Sequence, residues 1–382
     1  MHIVIPAIID IQKAAPNRLH QFIKHLSKTH EITVVCINDH WKAEQVDTSI
    51  HYQDFRSVLS KVNIIHITDR RISPILQELF SPFFLRGLKN DDFDAIFNYN
   101  TLVSGRVLAK KFHIPMVYDI ADDLPAMIQN SPQIPGLLKR AGGWFGERCV
   151  QKTIASATLI TGISKKFQDI YTIPEKKYSV IPNGVNTDLF NKVPSSLKSD
   201  MGLTDKIVLG YVGVLREWVD LEPVYHALNE LDNVVLIVVG KEGFYEDNQI
   251  KVRNLGIEEK VIFTGHVPYD RVPEYIAAMD LCLIPFEKSN PISQNAVPLK
   301  LFEYMACEKP VISTRLDGVR DIVGEKIFYA DTANEYKSLL NIFNKNDPGF
   351  QNRMKQNREF VEMTYTWDKI GQSLERVLQE AL

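Results

Sequence analysis

The sequence predicts an α/β protein built from two doubly wound domains, each with a parallel sheet. Continuous apolar runs recur along the 382 residues, and most of them are separated by amphipathic segments. Continuous hydrophobic strands that alternate with helices are typical of parallel sheets buried on both faces. The runs form two series, and each series predicts one domain.

The predicted strands and helices follow one another in a regular order. The first series of strands reads HIVIPAI, EITVVCI, VNIIHIT, AIFNYN, IPMVYDI, ATLITGI and KYSVI. The second series reads KIVLGYVG, NVVLIVVG, KVIFTGH, LCLIPF, PVIST and KIFYA. Segments such as NRLHQFIKHLSK, VPEYIAAM and LKLFEYMA are apolar on one side and predict helices between the strands. Ligands of such domains bind at the carboxyl ends of the strands.

The boundary between the two domains is predicted in the segment IPNGVNTDLF, residues 181–190. Pro182, Asn183 and Gly184 form a turn cluster, and the polar stretch VPSSLKSD follows as a connection. We therefore place a first domain at residues 1–183 and a second at residues 184–363. The last segment, residues 364–382, predicts a helix.

Composition excludes several classes of protein. Hydrophobic residues make up 45% of the chain and charged residues 24%, as in soluble globular proteins. The net charge of -3, with both signs dispersed, argues against a nucleic-acid partner. No G-x-G-x-x-G motif follows a strand, which argues against a nicotinamide dehydrogenase.

The termini and cysteines indicate a cytoplasmic protein. Met1 leads directly into a predicted strand, without the features of a signal peptide, and no apolar run reaches membrane-spanning length. The four cysteines are far apart in apolar contexts, so we expect buried thiols rather than a zinc motif.

The most informative segment is NAVPLKLFEYMACEKP, residues 295–310. Pro298 can begin a helix, and Lys300 and Glu303 lie within its first turns. The unpaired N–H groups of a helix start and a cation favour a diphosphate, whereas a carboxylate one turn further can accept hydrogen bonds from a ribose. The alternative is an amphipathic helix with a solvated Lys–Glu pair.

This segment resembles the donor-site signature of family-four glycosyltransferases with the GT-B fold. In that family a Glu, seven residues and a second Glu are followed by M-A-x-x-K-P-V-I, which Glu303 and the run MACEKPVI match. The first Glu falls on Asn295 here. One branch of the family reads N-x-x-P-x-K-x-x-E-Y, which Asn295, Pro298, Lys300, Glu303 and Tyr304 fit. IPNGVNTDLF and the closing helix also resemble the family, in which the helix at 364–382 packs back on the first domain.

The resemblance implies two Rossmann-like domains that face each other across a cleft. The second domain would bind a nucleotide sugar and the first an acceptor. The implied donor-binding residues are Gly213, Arg216, His266, Val267, Asn295, Pro298, Leu299, Lys300 and Glu303.

Several of these positions have alternatives. Gly213 ends a strand and Arg216 follows it, so the pair suits a diphosphate, but both residues also suit an ordinary loop. Asn295 suits either a hydroxyl of the sugar or a capping position. Tyr269, beyond the implied base loop at His266, suits stacking on a ring or a contact at the start of a helix.

The first domain supplies fewer candidates. IPMVYDIADDLP matches the family's Y-D-x-H-D-L at Asp119 and Asp122, with Ala121 in place of the His. Asp122 is therefore the candidate for sugar or acceptor hydroxyls, with loop capping as the alternative. Arg18 matches the Arg of the family's first loop and is a candidate acceptor-binding residue.

No metal or other cofactor is expected at the site. Arg216, Lys300 and the helix start can neutralise a diphosphate. The sequence DDFD at residues 91–94 resembles a metal-binding triplet of another glycosyltransferase fold, but a solvated turn is the favoured interpretation.

Two segments combine apolar, aromatic and basic residues. SPFFLRGLK and LLKRAGGWFGERCVQK suit the anionic inner face of a membrane that carries a lipid-linked acceptor, or an ordinary helix contact.

The resemblance thus implies a metal-independent, retaining glycosyltransferase. It would transfer a sugar from a nucleotide diphosphate, most simply UDP, to a glycan or lipid-linked saccharide, with Arg216, Lys300 and Asp122 as catalytic residues. The alternatives are a nucleotide-sugar epimerase and a non-catalytic relative that binds sugar nucleotides.

Overall fold

The structure is a computed structural model that describes residues 1–14, 16–40, 53–89, 92–130 and 135–382. Two compact units emerge from it. Residues 1–183 and 367–382 form the first unit, and residues 184–366 form the second. The division between the two units, after Asn183, falls within the predicted domain boundary at residues 181–190. The last helix joins the first unit from Trp367 rather than from residue 364.

A seven-stranded parallel sheet forms the centre of the first unit, with the order β3-β2-β1-β4-β5-β6-β7. Its strands are β1 (His2–Ala7), β2 (Glu31–Cys36), β3 (Asn63–His66), β4 (Ala95–Tyr99), β5 (Met116–Ile120), β6 (Leu159–Gly162) and β7 (Tyr178–Val180). Strands that are neighbours in the sheet pair in parallel register, for example Ile3 of β1 with Ile32 of β2 and with Ala95 of β4. The predicted strands of the first series are confirmed.

Helices connect these strands. They are α1 (Arg18–Leu26), α2 (Gln53–Leu59), α3 (Pro74–Leu79), α4 (Ser81–Phe84), α5 (Ser104–Phe112), α6 (Leu124–Asn130), α7 (Gly136–Ser156) and α8 (Lys166–Ile170). One hydrophobic cluster joins the sheet to α5 and α7 through residues such as Ile96, Leu108 and Val150. The carboxylate of Glu78 caps α5, because it accepts the N–H groups of Leu102, Val103 and Ser104.

The second unit contains a six-stranded parallel sheet in the order β10-β9-β8-β11-β12-β13. Its strands are β8 (Ile207–Val212), β9 (Val234–Val239), β10 (Val261–Gly265), β11 (Leu281–Ile284), β12 (Val311–Ser313) and β13 (Phe328–Tyr329). The strand order reverses between β8 and β11. The carboxyl ends of these two strands are therefore where a ligand is expected to bind.

The remaining helices complete the second unit and return the chain to the first. They are α9 (Leu197–Asp200), α10 (Glu222–Asn229), α11 (Tyr245–Asn254), α12 (Val272–Ala278), α13 (Pro291–Gln294), α14 (Leu299–Ala306), α15 (Asp317–Val323), α16 (Ala333–Ile342), α17 (Pro348–Thr364) and α18 (Trp367–Ala381). Within the first unit, α18 packs on α1, where Trp367 meets Phe22 edge to face and Gly371 lies against the His25 ring.

Two other expectations bear on the fold. The four cysteines are buried and unpaired, as the sequence predicts. Among the described residues, no helix combines the length and apolar character needed to cross a lipid bilayer.

Candidate functional site

Helix α14 begins without a capping side chain. Pro298 occupies the cap position with extended backbone (φ -70°, ψ 142°) and provides no side-chain acceptor. The first N–H groups of the helix therefore lack the partner that Ser, Asp or Asn usually supplies. This is the helix start that the sequence predicts, with Pro298 just before it and Leu299 as its first residue.

Lys300 points back over the carboxyl end of β8. Its Nζ lies 3.9 Å from the centroid of the Tyr211 ring and 5.6 Å from that of Phe286. It also lies beside Gly213, where an added Cβ would come within 2.9 Å of Nζ. Burial among these groups lowers the pKa of Lys300 to about 7, although the Glu303 carboxylate opposes the shift.

Two tyrosines hold this arrangement. The Tyr304 hydroxyl, one turn after Lys300, accepts the Val212 N–H at 2.9 Å and so ties α14 to the end of β8. The hydroxyl of Tyr211 donates to the Val214 carbonyl at 2.8 Å and fixes the loop that follows. Sequence reasoning missed Tyr211 as a site residue, although it lies two residues before the predicted Gly213.

Glu303 lies three residues after Lys300 on α14 and is 8% exposed. Its Oε1 accepts a hydrogen bond from the Tyr269 hydroxyl at 2.9 Å, and the Phe190 ring contacts Tyr269 edge to face. Burial raises the pKa of Glu303 to about 7, against the opposing effects of Tyr269 and Lys300. The alternative of a solvated Lys–Glu pair is wrong, because both side chains are buried. Tyr269 lies at the start of a short helix, Tyr269–Arg271, and stacking of its ring on a ligand stays a prediction.

Three glycines line the carboxyl ends of β8, β9 and β10. Gly213, Gly240 and Gly265 have φ values of +127°, +133° and +71°, which other residues rarely adopt. At Gly240 an added Cβ would lie 2.5 Å from the Gly213 carbonyl oxygen, so these two loops approach each other closely. The sequence shows Gly240 at the end of NVVLIVVG, but only the structure shows this contact.

Arg216 lies in a loop whose backbone is held by hydrogen bonds to other segments of the unit. The backbone of Leu215 bonds to residues 242 and 244, Asp220 donates its N–H to Pro285, and Glu287 donates to Trp218. The Arg216 side chain is exposed, and among the described residues no carboxylate forms an ion pair with it. A fixed backbone with an exposed guanidinium suits an incoming anion.

The other predicted donor residues lie in the loop after β10 and in the segment before α14. His266 and Val267 directly follow β10, three and two residues before Tyr269, which joins their loop to α14. Asn295 follows α13 as its C-cap and donates from Nδ2 to the Pro291 carbonyl at 3.4 Å. The capping alternative for Asn295 is therefore present in the structure, and its contact with a sugar stays a prediction.

Arg18 and Asp119 form a buried ion pair in the first unit. Nε and Nη2 of Arg18 donate to the two carboxylate oxygens at 3.0 Å each, and Nη1 donates to the Pro182 carbonyl at 2.7 Å. The Thr161 hydroxyl also donates to Asp119, at 2.6 Å. All three guanidinium nitrogens are thus engaged within the unit, and an acceptor contact for Arg18 stays a prediction.

The two neighbouring aspartates have different positions. Asp123 caps α6 by accepting the Ala126 N–H at 3.1 Å and also accepts the Tyr171 hydroxyl at 2.9 Å. The Asp122 side chain is exposed, and no group in the described part of the chain donates a hydrogen bond to its carboxylate. Capping, the alternative for Asp122, is done by Asp123. Of the DDFD segment, residue 91 lies outside the described residues.

The fold and the site together define a GT-B glycosyltransferase-type protein. Two family models match the chain. The model described as "Glycosyltransferase Family 4" matches residues 15–189, and the model described as "Glycosyl transferases group 1" matches residues 206–342. The chain belongs to the group 1 glycosyltransferases of the family-four type.

Individual relatives are distant. TuaH of Bacillus subtilis, named for teichuronic acid biosynthesis, is 27% identical over 204 residues, which are 53% of this chain and 50% of that protein. The D-inositol 3-phosphate glycosyltransferase of Acidothermus cellulolyticus is 25% identical over 73% of this chain and 64% of its own. The chain thus spans about half to two thirds of these relatives.

Solved structures share the whole fold. Anabaena HepE, crystallised in complex with UDP-glucose, superposes with a TM-score of 0.73 at 19% identity and full coverage of both chains. The sucrose-phosphate synthase of Thermosynechococcus elongatus gives a TM-score of 0.76 at 16% identity, over 99% of this chain and 98% of that one.

Proposed function

We propose that this protein transfers a sugar, with retention and without a metal ion, from a UDP-sugar to a hydroxyl of a glycan or lipid-linked saccharide. The observation that carries the proposal is the position of Lys300. Its ammonium group lies between two aromatic rings and Gly213, beside the uncapped start of α14.

The chemistry at this place suits a leaving diphosphate. In the reaction, the bond between C1 of the sugar and the diphosphate oxygen breaks, and a bond from C1 to the acceptor oxygen forms. The acceptor proton leaves with the diphosphate or passes to a nearby base. Lys300, the N–H groups of α14 and the exposed Arg216 would stabilise the negative charge that develops on the leaving oxygen.

A nucleoside suits the groups around Glu303. The carboxylate is held by Tyr269, and its second oxygen can accept hydrogen bonds from vicinal ribose hydroxyls. The backbone after β10, at His266 and Val267, would pair with the base. The UDP-bound structures of HepE support uridine as the nucleoside.

The acceptor is proposed to bind the first unit near Asp122. Retention, and the choice of a glycan or lipid-linked acceptor, rest on the family and on TuaH, which is named for polymer biosynthesis. Proton NMR would test retention by identifying the anomer of the product that forms first. A product with inverted configuration would contradict it.

Titration calorimetry and product analysis test the whole proposal. We expect UDP to bind the full chain, Lys300→Ala to weaken it, and UDP-sugar to be consumed only when an acceptor is present. An altered sugar released without acceptor would indicate an epimerase. UDP binding without turnover over a broad acceptor panel would indicate a non-catalytic relative.

A membrane surface for a lipid-linked acceptor is proposed on the first unit. Leu137 is 96% exposed, and Phe83 and Trp144 are 60% and 58% exposed. Leu137 and Trp144 lie on α7, and Phe83 lies on α4. The exposed Arg140 and Arg148 also lie on α7, and the Arg148 guanidinium is stacked 4.5 Å from the centroid of the Trp144 ring. Aromatic and basic residues together suit an anionic bilayer.

Vesicle sedimentation tests this surface. Binding to vesicles with phosphatidylserine should exceed binding to neutral vesicles, and Leu137→Ser with Trp144→Ser should remove it. Ile342→Ser, at an exposed apolar residue of the second unit, is the matched control. Equal binding by the double variant and the control would contradict this part of the proposal.

A further inference from the structure

A second cluster of chemically reactive side chains lies in the first unit. Asp10, Cys36 and His66 each place one carboxylate oxygen, sulfur or ring nitrogen within 4.8 Å of the others. Cys36 ends β2, His66 ends β3, and Asp10 lies just beyond the end of β1. Because these three strands are neighbours in a parallel sheet, their carboxyl ends bring the side chains together.

The spacing suits a small tetrahedral ion. Oδ1 of Asp10 lies 3.6 Å from Nε2 of His66, which is an ion-pair distance but is longer than a hydrogen bond. Zinc bonds to oxygen and nitrogen are about 2.0–2.1 Å, so two ligands on one tetrahedral ion lie roughly 3.3–3.4 Å apart. A small side-chain adjustment would allow both atoms to bind the same ion.

Burial and chemistry also point to an ion. Asp10 is 3% exposed, and Cys36 is fully buried. Nε2 of His66 is shielded from solvent and forms no hydrogen bond with the described residues. The imidazole nitrogen, the thiolate sulfur and the carboxylate oxygen are the three ligand types that bind zinc in proteins.

The carboxylate is already oriented by its neighbours. Oδ2 of Asp10 accepts the Asp39 N–H at 3.0 Å and lies 3.2 Å from Nζ of Lys13. Oδ1 accepts the Gln12 N–H at 3.1 Å and has a second lone pair that can face an ion. Such outer contacts fix the orientation of metal-binding carboxylates, and they place the Lys13 cation on the oxygen that does not face His66.

We propose that Asp10, Cys36 and His66 bind a Zn²⁺ ion, with water as the fourth ligand. The thiolate and the carboxylate balance the two positive charges, and binding releases both the thiol proton and the second ring proton of His66 to solvent. The ion would join the loops after β1, β2 and β3. This role is separate from sugar transfer, which we assign to Lys300 and its neighbours in the second unit.

Cobalt titration of the full, untagged chain tests the proposal. After treatment with a chelator, Co²⁺ should bind in one equivalent and produce a thiolate-to-cobalt charge-transfer band with the intense visible bands of tetrahedral cobalt. Zn²⁺ should displace it and raise the melting temperature. Cys36→Ser and His66→Gln should each weaken binding by more than the 10–100-fold typical of an outer-shell residue.

Cys149→Ser is the matched control, because Cys149 is a buried thiol of the same unit outside the group. It should keep the spectrum of the parent chain. Circular dichroism establishes that each variant is folded, and the partly exposed His66 makes His66→Gln the milder change. A spectrum without a thiolate band, or one unchanged in folded His66→Gln, would overturn the proposal.

Discussion

Two charged pairs lie at the carboxyl ends of parallel strands, one in each unit, and their surroundings differ. Arg18 and Asp119 in the first unit are joined by two hydrogen bonds. Arg18 also donates to the Pro182 carbonyl, and Asp119 also accepts from the Thr161 hydroxyl. Lys300 and Glu303 in the second unit do not bind each other. Lys300 faces aromatic rings and glycine, and Glu303 is held by a single tyrosine hydroxyl.

The extent of pairing distinguishes charged residues that stabilise the fold from charged residues that are available to a ligand. A buried pair whose hydrogen bonds are made within the protein contributes mainly to stability, and removing one partner leaves the other charge buried and unpaired. Charges that are buried without full partners have displaced pKa values, and such groups cluster at functional sites. The following variants test this distinction, starting with the largest expected effect.

Loss of Arg18 should affect stability most. Arg18→Met leaves the buried Asp119 carboxylate unpaired, which costs about 3–5 kcal/mol in the free energy of unfolding. Urea denaturation measures this cost, and the double variant Arg18→Met with Asp119→Leu should recover part of it. A stability loss below about 1 kcal/mol would show that the pair is not structural.

Loss of Lys300 should affect turnover with little change in stability. Lys300→Ala removes a cation from the leaving diphosphate, so kcat should fall about 100-fold or more, on the order of 3 kcal/mol. Lys251→Ala is the control, because Lys251 and Glu222 form an ion pair between two exposed side chains. Full turnover by Lys300→Ala would contradict the assignment.

A methyl group at Gly240 should disturb the glycine loops. Gly240→Ala brings a Cβ to 2.5 Å from the Gly213 carbonyl at a φ of +133°, which we expect to cost about 1–3 kcal/mol and to weaken UDP binding. Gly202→Ala is the control, since its φ is +69° but nothing lies within 4 Å of the added carbon. Equal effects of both changes on UDP affinity would refute a role for the close approach of the loops.

Donor binding should depend on pH through Lys300. Its pKa is about 7 in the free protein, and an anionic diphosphate raises it. Below this pH Lys300 is already charged. Above it, binding must take up a proton, so UDP affinity falls by up to about tenfold per pH unit, or about 1.4 kcal/mol.

Calorimetry in buffers of different ionisation enthalpy measures the proton uptake. Glu303 also titrates near pH 7 and becomes a better hydrogen-bond acceptor as it ionises, which opposes the effect of Lys300. Glu303→Gln removes the second titration and also the carboxylate that raises the pKa of Lys300, so the fall in affinity due to Lys300 should begin at a lower pH. A flat profile in that variant would show that Lys300 stays charged throughout.

The smallest effect is expected at Tyr269. Tyr269→Phe removes the hydroxyl that holds Glu303, which should weaken UDP binding by about 1 kcal/mol, or roughly fivefold. The loss should shrink for 2′-deoxy-UDP, because Glu303 then has less of the ribose to bind. An equal loss of affinity for both nucleotides would show that Tyr269 does not act through the contact between Glu303 and the ribose.

Much of this molecule could be predicted from its sequence. Apolar runs of strand length alternate with amphipathic helices, and Pro298 marks the start of α14, because these signals lie within a few residues of each other. The same local signals placed Lys300 and Glu303 at one helix start. They could not show that Lys300 would contact Tyr211, almost 90 positions earlier in the chain.

The sequence by itself therefore determined the two parallel-sheet units, the seam after Asn183 and the helix on which the site is built. Tertiary structure decided which charges are engaged. It joined Arg18 to Asp119, turned Tyr269 toward Glu303 and gathered Asp10, Cys36 and His66 at one edge of a sheet. The physical reason is that helix and strand periodicity is written in neighbouring residues, whereas burial and charge pairing depend on strands that only the folded sheet makes neighbours.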